Sequence, residues 1–182
     1  MERDLVVLAI DGDHDAFSTL VSRRIGRLYA VARLILHGDS AAEDATQEAL
    51  VAAWRDLSAL RDPDRFDAWL HRLLVRACYR EARRERGRRT VEVHVQPIEP
   101  AEPDSTAGVA DRDQLERGFG RLDAEARTIL VLHYYLGLSA ADAAEVLAIP
   151  PGTARSRLFR ATEAMKSALA ADTRFGLAEG QA

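Results

Sequence analysis

Ten residues near the carboxyl end, GTARSRLFRA at positions 152–161, carry side chains that can bond DNA bases and phosphates. Apolar residues recur through this stretch at helical spacing and predict a buried stripe: Ala154, Leu158, Ala161 and Met165. The outward face of the same helix would then present Arg155, Ser156, Phe159 and Arg160. Arginine bonds guanine edges in a major groove, serine bonds a base or a phosphate, and phenylalanine contacts a thymine methyl group. Arg157, nearer the flank, could hold phosphate, and Thr153, at the helix start, could bond the backbone.

The residues before this helix predict a helix-turn-helix motif. Ser139 and Asp142 have the spacing of a capping box at the start of a short helix. Pro150 and Pro151 then end that helix and begin the next, because proline is tolerated in a first helical turn. A basic helix alone is more often a solvated surface. The capped helix before it and the outward Phe159 favour DNA recognition.

A second candidate DNA surface lies in residues 72–89, which contain eight arginines and two glutamates. Spacings of three and four place one aromatic and four basic side chains on one helix face: Trp69, Arg72, Arg76, Arg80 and Arg83. Cations along a strand with an aromatic ring for stacking are typical of single-stranded DNA binding. Trp69 is equally compatible with a place in the core, and the alternative for the arginines is a solvated face.

The elements that must position these residues are all helical. Apolar periodicity and helix caps predict helices over residues 16–36, 41–57, 64–85, 111–120, 124–135, 140–147 and 151–171. Ser40 with Glu43 predicts a capping box for the second of them. Residues 90–110 hold three of the chain's six prolines and no helical periodicity. We therefore predict an all-α fold of two small domains, 1–89 and 111–182, joined by a flexible acidic linker over 90–110.

Composition excludes several functional classes. The 182 residues are 47% hydrophobic with a net charge of -4, which fits a folded chain with real cores. Apolar runs are too short for a membrane span, and acidic residues flank the first of them, which argues against a signal peptide. The single cysteine, Cys78, indicates a reducing cytosol. Metal-ligand spacing, a phosphate-binding loop and a nucleophile elbow are lacking, so we expect no cofactor, no metal and no enzymatic activity.

The carboxyl-terminal half resembles a known family. LDAEARTILVLHYYLGLSAADAAEVLAIPPGTARSRLFRA, at 122–161, is similar to the carboxyl-terminal domain of the extracytoplasmic-function sigma factors of bacterial RNA polymerase. The family's pattern of Gly-Thr, a basic residue, Ser, Arg, Leu and then Arg-Ala matches positions 152–161. The resemblance implies that this helix reads the minus-thirty-five promoter element.

The amino-terminal half carries the same resemblance. AEDATQEALVAAW resembles the family's helix that binds the polymerase clamp, and the matching positions are Asp44, Gln47, Glu48 and Trp54. FDAWLHRLL resembles the start of the promoter-melting segment. The preceding loop, 61–66, occupies the position that captures a flipped minus-ten base, with Arg61, Asp62 and Arg65 as its polar side chains.

One departure from the family pattern affects this segment. After Trp-Leu the family usually carries Arg-Asn and, four residues after that Asn, an Asp. Here those positions are Val75-Arg76 and Arg80. Contacts in the melting segment are therefore less closely implied than the fold.

The resemblance implies a transcription initiation factor that recruits polymerase core to promoter DNA and is regulated by an anti-sigma factor. The acidic linker would be a connector threaded near the polymerase's nucleic-acid channel, or a plain tether. The alternative functions are a stand-alone helix-turn-helix regulator and a helical protein-binding adaptor, with an enzyme a distant third. A stand-alone regulator would bind duplex sites by itself, and an adaptor would ignore DNA.

Overall fold

The structure, a computed structural model, describes the backbone of residues 2–91 and 107–179 and the side chains of residues 2–87 and 114–171. Within those ranges every regular element is helical, which confirms the predicted all-α fold. The α-helices are α1 (Glu2–Ile10), α2 (His14–Ser22), α3 (Ile25–Leu36), α4 (Asp39–Asp56), α5 (Phe66–Val91), α6 (Ala107–Gly120), α7 (Ala124–Leu130), α8 (Ala140–Leu147) and α9 (Pro151–Glu179). In the described part of the chain, no helix combines the length and apolar character that crossing a bilayer requires.

The amino-terminal module is built around α3, α4 and α5. Four alanines form a buried stripe along the inward face of α4: Ala42, Ala45, Ala49 and Ala53. Small side chains let the neighbouring helices approach closely. The predicted capping box of Ser40 and Glu43 is wrong, because α4 begins two residues earlier than predicted, at Asp39, with Gly38 as its extended N-cap.

The single helix predicted over 16–36 is two helices, and this prediction is wrong in an informative way. The chain turns at Arg23 and Arg24 between α2 and α3. The apolar spacing continues across the turn, and neither proline nor an aspartate or serine cap marks it in the sequence. The side chain of Arg24 holds the turn by donating from Nη1 to the carbonyl oxygen of Leu20 at 3.2 Å. Helix α1, which packs against α2, was not predicted.

A short 3-10 turn, Pro63–Arg65, leads into α5. The Asp62 carboxylate caps this turn by accepting a hydrogen bond from the Asp64 backbone N–H at 3.1 Å. Helix α5 continues to Val91 and α6 begins at Ala107, so helical backbone covers both ends of the predicted linker. The proline-containing remainder of that linker, 92–106, lies outside the described residues.

The carboxyl-terminal module contains the predicted helix-turn-helix. Asp142 N–H donates to Ser139 Oγ at 3.1 Å and Ser139 N–H donates to the Asp142 carboxylate at 3.3 Å, which confirms the capping box. Helix α8 ends at Leu147 and is capped by Ala148, whose φ of 53° is left-handed, and α9 begins at Pro151. Helix α7 is capped by Asp123 and runs on into a π-helical turn, Val131–Tyr135.

The two modules pack against each other through α3 and α5 on one side and α7 and α8 on the other. His37, at the end of α3, has its Nε2 atom 3.1 Å from the carbonyl oxygen of Glu116 in α6. Gly120 gives the His37 ring room, since a Cβ there would lie 3.1 Å from the same Nε2 atom. Arg65 Nη1 bonds the Glu145 carboxylate of α8 at 3.0 Å. The first module therefore contacts both α6 and the helix-turn-helix.

Candidate nucleic-acid and polymerase interfaces

Helix α9 separates its buried and exposed residues along the predicted line. Ala154 and Ala161 are buried, and Met165 is 9% exposed. The outward set Arg155, Ser156, Phe159 and Arg160 is exposed, and Phe159 has 68% of its surface free. A phenylalanine exposed to this degree cannot be stabilising the core. The face therefore offers two cations and an aromatic ring within the first three turns of a helix-turn-helix second helix.

The other two predicted residues of α9 lie differently. Thr153 is half-buried, and its carbonyl oxygen accepts a hydrogen bond from Ser156 Oγ at 3.0 Å. Arg157 points towards α7, where Nη1 lies 3.2 Å from the Glu125 carboxylate. Arg157 is therefore already paired within the module, and it would contact a phosphate only by exchanging or sharing that partner.

The arginine stripe of α5 is not uniform. Arg76 and Arg83 are exposed and have no ion-pair partner among the described side chains. Arg80, by contrast, forms an ion pair with Glu48 of α4, with Nε 2.9 Å from the carboxylate oxygen. Arg72 is half-buried, and its Nε atom is enclosed without a hydrogen bond from the described residues. Arg76 and Arg83 are thus the stripe cations most available to a DNA strand.

Trp69 is neither fully core nor fully free. It is half-buried, and its ring centroid lies 6.0 Å from that of Phe66, which is 2% exposed. The ring thus borders the core at the start of α5, next to the 61–66 loop. The side chain therefore combines the two alternatives considered from the sequence, with one part of the ring packed in the core and the rest exposed.

The three predicted binding residues in the loop before α5 lie in three different settings. Arg61 is exposed. Asp62 caps the 3-10 turn through its own carboxylate. Arg65 is exposed along 63% of its side chain but pairs with Glu145 of the other module. Asp64, between them, pairs with Arg3 of α1 at 3.3 Å. The loop is therefore fixed by contacts to two other elements.

The predicted polymerase face of α4 is continuous in space. Asp44 and Gln47 are exposed, and Glu48 is half-buried beside Arg80. Trp54 is 39% exposed and packs on His14 and Phe17, with ring centroids 4.4 Å and 5.0 Å away. The face thus combines acidic and amide groups at one end with an aromatic cluster at the other.

Val51 belongs to this face and was missed by the sequence reasoning. It is 65% exposed and sits one turn after Gln47 and Glu48. Val51 lies three positions before the exposed Trp54, so the two exposed apolar side chains are neighbours on one face of the helix. The sequence contains this signal, because Val51 is an apolar residue at helical spacing from the polar Gln47 and Glu48. It was overlooked because the alanines define the apolar face of the helix.

Burial is the main cause of the pKa shifts of three titratable side chains: Cys78, Tyr79 and His71. Burial raises the pKa of the Cys78 thiol to about 12, so the thiol remains protonated at neutral pH and is a poor nucleophile. Burial likewise raises the pKa of Tyr79 and lowers the pKa of His71. Among the described side chains, no group of three histidine, cysteine or carboxylate residues is arranged to hold a metal ion.

Two family models match the chain, one in each helical module. Residues 20–88 match the family described as Sigma-70 region 2. Residues 112–165 match the family described as Sigma-70, region 4. The first match contains α3, α4 and nearly all of α5, and the second contains the helix-turn-helix.

Curated relatives align over most of the chain. ECF RNA polymerase sigma factor SigM of Mycobacterium tuberculosis H37Rv is 33% identical over 162 residues, which cover 88% of this chain and 80% of SigM. RNA polymerase sigma factor CnrH of Cupriavidus metallidurans is 33% identical over 185 aligned positions, covering 94% of this chain and 96% of CnrH.

Two solved structures have a similar fold. CnrH in complex with the cytosolic domain of CnrY superposes with a TM-score of 0.66 at 30% identity, over 94% of this chain and 98% of that one. The sigma factor RpoE of Bartonella quintana, in complex with the anti-sigma factor NepR, gives a TM-score of 0.65 at 27% identity, over 86% and 98%.

Proposed function

The chain belongs to the extracytoplasmic-function sigma factors, and we propose that three of its faces divide the work of such a factor. As a transcription initiation factor, the protein binds RNA polymerase core and directs it to specific promoters. The faces are the outward side of α9, the polar side of α4, and the 61–66 loop with the exposed part of the α5 stripe. Each face has side chains whose chemistry suits one partner.

The outward side of α9 reads the minus-thirty-five element. The observation that carries this assignment is the exposure of Arg155, Phe159 and Arg160 beside a buried stripe on the same helix. Bidentate bonds from arginine to guanine supply discrimination between bases, and the capped α8 fixes the angle at which α9 enters the groove. Arg157 holds phosphate as a secondary contact, after releasing Glu125.

The polar side of α4 binds the polymerase core. Asp44, Gln47 and Glu48 supply charge and hydrogen-bond acceptors, while Val51 and Trp54 supply apolar area. An aromatic anchor beside a charged rim is the arrangement that concentrates binding energy at protein interfaces. The basic partner surface that such a face requires would be a clamp element of the core.

The 61–66 loop and α5 act on the minus-ten region. Trp69 offers the exposed part of its ring beside the loop for an unstacked base. Arg76 and Arg83, which have no ion-pair partner among the described side chains, offer cations for the displaced strand. This protein carries Arg76 where the family usually has an amide. Its melting segment would therefore depend more strongly on charge and on salt.

The protein works in the cytoplasm without a cofactor and performs no catalysis of its own, since the chemistry of RNA synthesis belongs to the polymerase. An anti-sigma factor is its regulatory partner. Support comes from the two similar structures, in which CnrH is bound to the cytosolic domain of CnrY and RpoE is bound to the anti-sigma factor NepR.

Transcription with purified core polymerase on a library of promoter fragments tests the assignment. Core alone should give only background, and addition of the chain should select fragments with two shared elements. In parallel, the chain without core is tested on the selected duplexes. Tight binding without core would indicate a stand-alone regulator, and failure to select any fragment would indicate an adaptor.

A further inference from the structure

Arg24 lies at the turn between α2 and α3 and holds four different groups. Its Nη1 bonds the Leu20 carbonyl oxygen, and its Nε bonds the Asp67 carboxylate at 2.6 Å. Its Nη2 bonds the carboxylate of Glu2. The guanidinium carbon lies 5.2 Å from the centre of the Phe66 ring, within the range of a cation–π contact. Only 15% of the Arg24 side chain is exposed.

These partners surround the base of the 61–66 loop. Phe66 is the residue where the loop becomes α5, and Asp67 is the next residue of that helix. Glu2 lies on α1, and its neighbour Arg3 pairs with Asp64 inside the loop. One arginine therefore connects the end of α2, the start of α5 and the helix that braces the loop from outside.

The charge of Arg24 is engaged by carboxylates within the protein rather than left available to DNA phosphates. Burial by itself lowers the pKa of Arg24, but the hydrogen bonds to Asp67 and Glu2 outweigh it and raise the pKa overall. The guanidinium is thus charged and already neutralised by two carboxylates. Without it, Glu2 and Asp67 would present uncompensated negative charge beside the path of a phosphate backbone, and Phe66 would lose its cation.

We propose that Arg24 is a positioning residue for minus-ten base capture, fixing the 61–66 loop and the start of α5 in the geometry that accepts an unstacked base. The proposal rests on the function proposed above for that loop. It adds a residue that lies more than thirty positions earlier in the chain and that has no part in the family resemblance described for the promoter-binding segments.

The test measures how holoenzyme, assembled from the chain and core polymerase, binds a fluorescent single strand carrying the minus-ten element. A matched set of strands has one abasic site at each position in turn. For the wild type, one abasic position should weaken binding roughly tenfold, the effect of losing one stacked base. Arg24→Ala should reduce that penalty to less than threefold, and Arg24→Lys should give an intermediate value.

Two further variants make the outcome decisive. Asp67→Asn removes one charge partner of Arg24 at a site with 63% side-chain exposure, so it spares the core and should also shrink the abasic penalty. Arg23→Ala, the exposed neighbour, is the control and should behave as wild type. Core binding and binding to a minus-thirty-five duplex should be unchanged in all variants, which a general loss of folding would not allow.

Full retention of the abasic penalty in Arg24→Ala and Asp67→Asn would overturn the proposal. If Arg24→Ala fails to bind core, Asp67→Asn alone decides. Absence of any abasic penalty in the wild type is a different result. It would overturn the assignment of the 61–66 loop itself, and the positioning role of Arg24 with it.

Discussion

Arg155 and Arg160 on α9 are exposed with no carboxylate partner among the described side chains, whereas Arg157 on the same helix is paired with Glu125. Similar residues therefore differ in the free energy that a DNA contact requires. A guanidinium without a carboxylate partner gives up water and, for Arg160, a hydrogen bond from Nε to the Ser156 carbonyl oxygen at 3.3 Å. A guanidinium paired with a carboxylate must first lose or share that charged partner. Base discrimination should accordingly come from Arg155 and Arg160 more than from Arg157.

Replacing Arg155 or Arg160 with alanine should cost roughly 1–3 kcal/mol per bidentate base contact and relax the preference at particular minus-thirty-five positions. Transcription from a set of single-base promoter variants measures both effects. Lys166→Ala removes the same charge further along α9, where Lys166 pairs with Glu163 at 2.8 Å, and it is the matched control. Unaltered base preference in both arginine variants would show that another face of α9 enters the groove.

Arg76 and Arg80 illustrate the same difference on α5. Arg76 is unpaired among the described side chains. In Arg76→Ala, the negative slope of log affinity for single-stranded DNA against log salt should therefore become shallower by about 0.7. Arg80 is held by Glu48, so Arg80→Ala should change the slope less. Permanganate reactivity of the melted region across a salt series reports opening directly. Equal slopes for wild type and Arg76→Ala would identify the stripe as a solvated surface.

At the scale of the element, α4 combines a buried alanine stripe with an exposed binding face. Because the alanines carry the packing, a substitution on the opposite face can change binding without changing the fold. Asp44→Arg should abolish copurification with polymerase core while the helical circular dichroism signal is retained. Glu43→Arg, exposed one position away on the side of the helix, is the control for charge alone. Wild-type binding by Asp44→Arg would move the interface to another element.

Helix starts were predictable where a capping signal is formed, although the signal alone is not sufficient, since Ser40 and Glu43 have the spacing of a capping box without capping α4. The Ser139–Asp142 box and the Asp123 cap are short-range chemistry, and both are formed in the structure. The turn at Arg24 is different, because it depends on Asp67 and Glu2, which are distant in sequence. The spacing of apolar residues indicates which face of a helix is buried, and this spacing continues unchanged from α2 into α3. No local pattern could therefore have placed it.

The functional residues divide in the same way. Exposure of Phe159 followed from the helical register of α9, which the sequence contains. The pairing of Arg80 with Glu48, and of Arg65 with Glu145, depends on how separate helices meet. A sequence can therefore identify the faces, but which cations on a face remain free is decided by tertiary packing.

At the scale of the whole molecule, the packed arrangement of the two modules conflicts with simultaneous promoter contact. Elements centred near minus ten and minus thirty-five are separated by about 25 base pairs, or roughly 85 Å of duplex at 3.4 Å per step. A compact chain of this length has a radius of gyration of about 16 Å. If each module binds the promoter element proposed for it, the contacts of His37 with Glu116 and of Arg65 with Glu145 must break before both elements are bound.

Gly120→Val should shift the free protein towards separated modules, because even a Cβ at this position would lie 3.1 Å from His37 Nε2 and 3.4 Å from Cε1. The branched side chain adds further volume against the same ring. Small-angle X-ray scattering should show a larger radius of gyration for this variant, and binding to core should be faster because less opening is required. Gly26→Val is the control, since nothing lies within 4 Å of a Cβ at Gly26. A variant that keeps the wild-type radius and association rate would show that the modules separate easily without it, and that the contact between His37 and α6 does not restrain the chain.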